Sequence, residues 1–157
     1  MYTQQDFDQN HAQLKKRWIF LAVPAAILLG LVVYSFVVRN ETLTITLSLL
    51  LAFGFIFGYG MFVSPLAAYE RHLNDALKGR TRKVTGAFKS MDESPVMRDG
   101  VSYYPMLLSV GDMAKDENDR LFYFDSNIER PNFVVGQTVT VTTHDKFVCD
   151  FSVEGEA

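Results

Sequence analysis

The sequence predicts a membrane α-helical hairpin of two transmembrane helices followed by a small all-β five-stranded barrel, OB-like or SH3-like. Three observations point there. Two long uncharged apolar runs lie between Trp18 and Tyr69, only Arg39, Asn40 and Glu41 part them, and beyond Gly79 the pattern changes from helical to alternating. The chain has 157 residues, 48% of them hydrophobic, which is one domain's worth or a small domain plus an anchor. An aromatic content of 13% excludes a disordered chain, and the single cysteine, Cys149, excludes an intramolecular disulfide scaffold.

Residues 1–17 read as a cytoplasmic N-terminal helix, with Phe7, Leu14 and Trp18 at helical spacing behind a Thr3 cap. Residues 18–69 form the hairpin. Trp18 to Val38 is 21 residues without a charge and Thr42 to Tyr69 is 28, against the roughly 20 that cross a hydrocarbon core. The spans are set at 18–38 and 42–66. The first run is longer than the core of a signal peptide and no A-x-A site follows it, so it is expected to stay as an anchor.

Eight basic residues flank the outer ends of the spans, Lys15, Lys16, Arg17, Arg71, Lys78, Arg80, Arg82 and Lys83, against Arg39 alone in the turn. Because Lys and Arg near span ends resist translocation, both termini are expected in the cytoplasm, in a multi-pass protein of the cytoplasmic (inner) membrane. Lys15, Lys16, Arg17, Arg80, Arg82 and Lys83 are the expected lipid headgroup contacts. Ala22, Ala26 and Gly30 on the first span and Gly54 and Gly58 on the second recur every four residues. Folding the chain about Asn40 sets Ala26 opposite Gly54 and Ala22 opposite Gly58, so these small residues are expected to pack the hairpin. Pro24 lacks a backbone donor and is expected to bend the first helix. Neither span holds an ionisable Asp, Glu, Lys, Arg or His, which argues against an ion pathway built from this chain alone.

Residues 70–81 are a juxtamembrane helix and linker, in which Leu66, Tyr69, Leu73, Ala76 and Leu77 continue the helical spacing until Gly79. Residues 82–157 form the β domain. Its expected strands are Lys83 to Ser90, Val101 to Val110, Arg120 to Asp125, Thr138 to Thr143 and Phe147 to Val153, with turns at Asp99-Gly100 and at His144-Asp145-Lys146. A domain of this size with short strands avoids open edges by closing into a barrel. Phe147, Cys149 and Phe151 alternate, which points the thiol into the barrel as a core residue.

The two spans, the small β domain and the late segment Phe133-Val134-Val135-Gly136-Gln137-Thr138-Val139-Thr140-Val141 together resemble bacterial NfeD-type small membrane proteins. The resemblance implies a cytoplasmic OB-like barrel and a non-catalytic role as a partner of membrane proteases or a scaffold of lipid domains. This chain departs from that pattern in its short hairpin and in the long strand bearing Tyr103, Tyr104 and Pro105, and no functional residue carries over.

Chemistry-bearing residues are sparse. His11, His72 and His144 have no metal-ligand spacing with one another or with Cys149, and no phosphate-cradling or nucleophile-elbow motif is present, so no catalytic residue, metal or cofactor is expected. Asp112, Asp116, Glu117 and Asp119 lack the spacing of a calcium loop and read as a solvated loop. From Val84 onward there are 6 basic and 13 acidic residues, a net of −7 that repels a phosphate backbone and argues against nucleic acid as partner.

Tyr103 and Tyr104, like Phe122 and Tyr123, point to opposite faces of their strands, so one set is expected to lie outside the core. Tyr103, Tyr104, Phe122, Tyr123 and Phe124 are therefore the expected partner contact. The function expected from these features is that of a non-enzymatic integral membrane protein. Its hairpin and flanking basic residues would contact membrane lipid, and its acidic barrel would bind a protein partner or itself, a homo-oligomer included. The alternative is an accessory subunit of a larger membrane transporter or membrane enzyme complex.

Overall fold

Thr3 and Asp6 start the first helix by capping each other: the Thr3 backbone N–H and hydroxyl donate to Asp6 Oδ2 at 2.8 and 2.7 Å, and Asp6 N–H donates to Thr3 Oγ1 at 3.3 Å. These bonds hold the Asp6 carboxyl below the usual carboxylate range. From there α1 runs without interruption over Gln4–Val37, passing through Pro24. In this computed structural model, which describes residues 1–111 and 115–153, the chain divides into two compact units. One is Asp8–Glu70 and the other is Met1–Phe7 with Arg71–Ala157.

The helical unit turns at Arg39, whose φ of 55° is left-handed, and restarts at Asn40, whose side chain caps α2 by accepting from Leu43 N–H at 3.1 Å. α2 spans Glu41–Gly58 and continues through a wide π-helical turn at Tyr59–Val63 into α3, Ser64–Lys78. Pro65 explains the wide turn. Proline has no N–H to return to the preceding turn, and the helix is re-registered just before it, with Ser64 N–H bonding Tyr59 O. α1 and the run from α2 to α3 are each long and apolar enough to cross a membrane.

The two helices pack with a register one residue away from the expected one. Ser35 Oγ meets Thr44 Oγ1 at 3.0 Å, and a Cβ on Gly58 would meet Leu21 Cδ1 at 2.6 Å. The fold axis thus falls between Arg39 and Asn40 rather than on Asn40. Leu21, Ala25, Leu28, Val32 and Ser35 form the shielded stripe of α1, at alternating spacings of four and three residues. Ala22, Ala26 and Gly30 lie beside that stripe and are exposed, which corrects their expected role in hairpin packing; Gly58 meets Leu21 of α1, and Gly54, also exposed, lines the groove between the helices without touching α1. Where the two ends of the unit meet, Asn10 Nδ2 donates to Leu66 O at 3.1 Å and His11 Nδ1 lies 3.2 Å from Glu70 Oε1.

The second unit holds a mixed sheet of six strands, one more than expected: β1 Arg82–Met91, β2 Val96–Arg98, β3 Val101–Ser109, β4 Asp119–Asp125, β5 Thr138–His144 and β6 Phe147–Val153. Their order is β1-β5-β6-β4-β3-β2, and β1 also pairs β3. β4 and β6 run parallel, and every other pair is antiparallel. The Asp99-Gly100 turn between β2 and β3 has both residues at positive φ, 52° and 82°, which matches the right-handed strand twist.

Two bulges decide which side chains face inward. On β1 the register slips between Phe88 and Ser90, so Phe88 and Met91 both enter the core while Lys89 is turned out. On β6 Thr142 pairs Asp150 but Thr143 pairs Val148, leaving Cys149 as the extra residue. Val148 and Phe151 consequently belong to the same core as Val139, Val141, Met106, Leu108, Phe122 and Phe124, and Phe147 moves to the opposite face. Cys149 is buried as expected, but outside the cluster that it was expected to join with Phe147 and Phe151, and burial pushes its thiol pKa up.

Candidate functional site

β3 and β4 lie in register, Tyr103 opposite Asp125 and Pro105 opposite Tyr123, so strand alternation delivers one set of aromatics to each face. Phe122 and Phe124 fill the inner core with Tyr104 against them. Tyr103 and Tyr123 lie on the other face, and they too are buried, at 2% and 4% exposure. Tyr103, Phe122, Tyr123 and Phe124 therefore cannot form the exposed contact expected from the sequence; only Tyr104 is part-exposed, beneath the Arg130 guanidinium at 5.6 Å. The outer face is covered by His72 from α3 and by Tyr2 from the N-terminal segment, both in the same unit as the strands.

His72 sits at the centre of this outer layer. Its ring meets Tyr2, Tyr103 and Phe147 edge-on, with centroids 5.3, 5.3 and 5.9 Å away. Tyr2 Oη lies 2.8 Å from His72 Nε2 and donates to Asp125 Oδ2 at 3.0 Å, and Tyr103 Oη lies 3.0 Å from His72 Nδ1. Asp125 Oδ1 accepts from the backbone and side-chain N–H groups of Asn127 at 2.9 and 3.0 Å.

Burial lowers the His72 pKa and outweighs the opposing effect of the nearby Asp125 and Asp75 carboxylates; His144 lowers it further. Burial likewise raises the Tyr103 pKa. One proton arrangement satisfies the neutral ring: His72 Nε2–H donates to Tyr2 Oη, Tyr2 O–H donates to Asp125, and Tyr103 O–H donates to His72 Nδ1. Such a chain ties three segments together around a neutral imidazole. It is also a set that sequence spacing missed, since Tyr2, His72 and Asp125 are far apart in the chain. The available signal was His72 lying between Tyr69 and Leu73 on the apolar stripe of α3.

No family model, curated protein or solved structure matches this chain.

The other expected site residues fall elsewhere. Lys15, Lys16 and Arg17 are exposed on α1, and Arg80, Arg82 and Lys83 are exposed around the start of β1. Asp116 and Asp119 hold the bulged Lys89 at 2.7 and 2.6 Å, raising the Lys89 pKa and lowering that of Asp116; Glu117 is exposed, and Asp112 lies outside the described residues. His144 Nδ1–H donates to Arg80 O at 3.0 Å. Among the described residues no three His, Cys, Asp or Glu gather where they could hold a metal ion.

Among the described residues, the strongly exposed large apolar side chains of the β unit are Met97 on β2, 76% exposed, and a valine pair, and none is aromatic. Val134 and Val135, 68% and 67% exposed, cap the loop before β5. The loop is anchored from below: Phe133 packs at a tilt against Phe88 and edge-on against Phe151, with centroids 5.2 and 5.4 Å away, and Gly136 N–H donates to Phe88 O at 2.8 Å. Gly136 has a φ of 87°, which a residue with a Cβ adopts only with strain. Gln137 Oε1 accepts from Val134 N–H at 3.0 Å and closes the turn.

Proposed function

We propose that this chain is a non-enzymatic integral membrane protein of the cytoplasmic membrane, with a hairpin anchor and a cytoplasmic β module that binds a protein partner. The outward apolar sides of the two long helices carry the proposal. Phe36, Phe53 and Ile56 are 74%, 72% and 73% exposed, within a continuous run of exposed Leu, Ile, Val and Phe. An apolar surface of that extent is stable in lipid and not in water. The basic residues beside the spans favour cytoplasmic termini.

The strand pairings support an OB-type barrel. The circuit β1-β5-β6-β4-β3 returns to β1, with β4 and β6 parallel and β2 added at the edge. The rigidly held Val134–Val135 tip is the proposed contact, in place of the buried aromatics. Val134→Asp with Val135→Asp is expected to reduce in-cell crosslinking of the chain to its partner by about tenfold, since two charges replace the apolar tip. The pattern of amide exchange in the strands should not change. Undiminished crosslinking would refute the tip as the contact.

The exposure of Ala22, Ala26 and Gly30 favours a second proposal, an accessory subunit docked onto foreign helices. A Cβ on Gly30 would meet nothing within 4 Å, so another helix could approach there. Leu at Ala26 and Gly30 would abolish partner binding in that case, and leave it intact if the β module alone makes the contact.

A further inference from the structure

Three local features converge on one place in the helical unit. Pro24 has no N–H to donate within α1, Gly54 and Gly58 carry no side chain on α2, and the wide turn at Tyr59–Val63 begins directly after Gly58. Between them lies a cavity of about 220 Å³, lined by Leu21, Pro24, Leu28, Leu51, Gly54 and Phe62 among other apolar groups. A Cβ built on Gly54 would meet nothing within 4 Å, so this space is open rather than filled by neighbouring side chains. The space is a groove open on its outer side, where Phe20 and Phe62 are 68% and 43% exposed, and its lining is apolar, so an acyl chain could enter it from the bilayer.

One end of the cavity carries charge. The Arg17 guanidinium lies 5.7 Å from the centroid of Phe62, itself a lining residue, and Lys15 and Lys16 precede it. Trp18 and Tyr59 pair beside it with centroids 5.8 Å apart, the amphipathic aromatics typical of the boundary between acyl chains and headgroups. Going inward from Arg17, the order is cation, aromatic pair, apolar cavity. A phospholipid presents phosphate, glycerol and acyl chain in the same order.

We infer that the cavity holds one acyl chain of an anionic phospholipid whose phosphate is bound by Arg17. The inference rests on the membrane reading above and deepens it. Arg17 suits the role because its planar guanidinium can bond phosphate oxygens while its face stays on Phe62. A zwitterionic lipid adds a choline cation next to the basic run, whereas a phosphatidylglycerol headgroup does not.

The test uses the full chain reconstituted in phosphatidylcholine vesicles that contain a phosphatidylglycerol with a photoreactive acyl chain. Vesicle flotation is read first, and the labelled residues are then mapped by mass spectrometry. Adducts concentrated on Leu28, Leu51 and Phe62 are expected. Gly54→Phe should lower them about tenfold by filling the open space, and Gly30→Phe, on the exposed side of α1, should leave them unchanged. Arg17→Gln should lower them when the probe is phosphatidylglycerol and not when it is phosphatidylcholine. Flotation with adducts spread evenly around both helices, or insensitive to Gly54→Phe, would overturn the lipid site while leaving the membrane reading in place. Adducts displaced by crosslinks between two copies of the chain would overturn it in favour of a second copy. A chain that does not float removes both.

Discussion

Phe124→Ala is expected to loosen the whole β unit. Phe124 is fully buried between the strands, and truncating a buried Phe costs about 3–5 kcal/mol through lost burial and the cavity left behind. A small domain has little more stability than that to lose. Amide exchange in β3, β4 and β6, followed on the full chain in detergent at one pH, should accelerate by about 10²-fold to several thousandfold. Helical amides between Leu43 and Gly58 should keep their rate, because Phe124 belongs to the other compact unit. Unchanged strand exchange would mean that the aromatic core is not organised as described.

His72→Ala is expected to have the next largest effect, about 2–4 kcal/mol. It removes a buried ring and leaves the hydroxyls of Tyr2 and Tyr103 without their imidazole partner. A pH signature separates this loss from simple loss of packing. The folded pKa of His72 lies below its ordinary value of 6.5, so the folded state binds this proton less readily than the unfolded chain does. Its contribution to stability is therefore complete above about pH 6.5 and is lost as the pH falls below 6.5 and on through the folded pKa. The thermal midpoint, read from the near-ultraviolet circular dichroism of the tyrosines, should fall on acidification of the wild-type chain. In His72→Gln this component of the slope should be absent. An identical slope in both chains would contradict a neutral, buried His72.

What the sequence made legible was set by local patterns. The β5–β6 hairpin reads directly because Val139 and Val141 alternate with threonines and a polar turn follows, and β6 spans Phe147–Val153 as expected. Thr3, Gly79 and the Arg39–Glu41 turn are local stop and start signals, and the helices begin and end at them within a residue or so. β2 escaped notice because its three residues are all exposed and carry no alternation. The bulges at Lys89 and Cys149 were invisible for a different reason. Each depends on the partner strand, and one extra residue reverses the face of everything beyond it.

The buried aromatics failed as a contact surface on similar grounds. Alternation correctly divides Tyr103 from Tyr104 and Phe122 from Tyr123, but it cannot tell a solvent face from one covered by Tyr2 and His72. The hairpin register missed by one residue because Ala25 and Ala26 are both small, and the choice between them was made by the heptad-like stripe ending at Ser35.

Membrane topology tests the central claim most directly. In a Cys149→Ser background, Arg39→Cys places a thiol in the interhelical turn and Asp145→Cys places one in the β5–β6 turn. Labelling intact right-side-out cells with a membrane-impermeant maleimide should modify the cysteine at 39 and spare the one at 145 until the membrane is permeabilised, with the chain resisting alkaline extraction throughout. Labelling of position 145 in sealed cells, or release of the chain at alkaline pH, would contradict a hairpin that anchors a cytoplasmic β module.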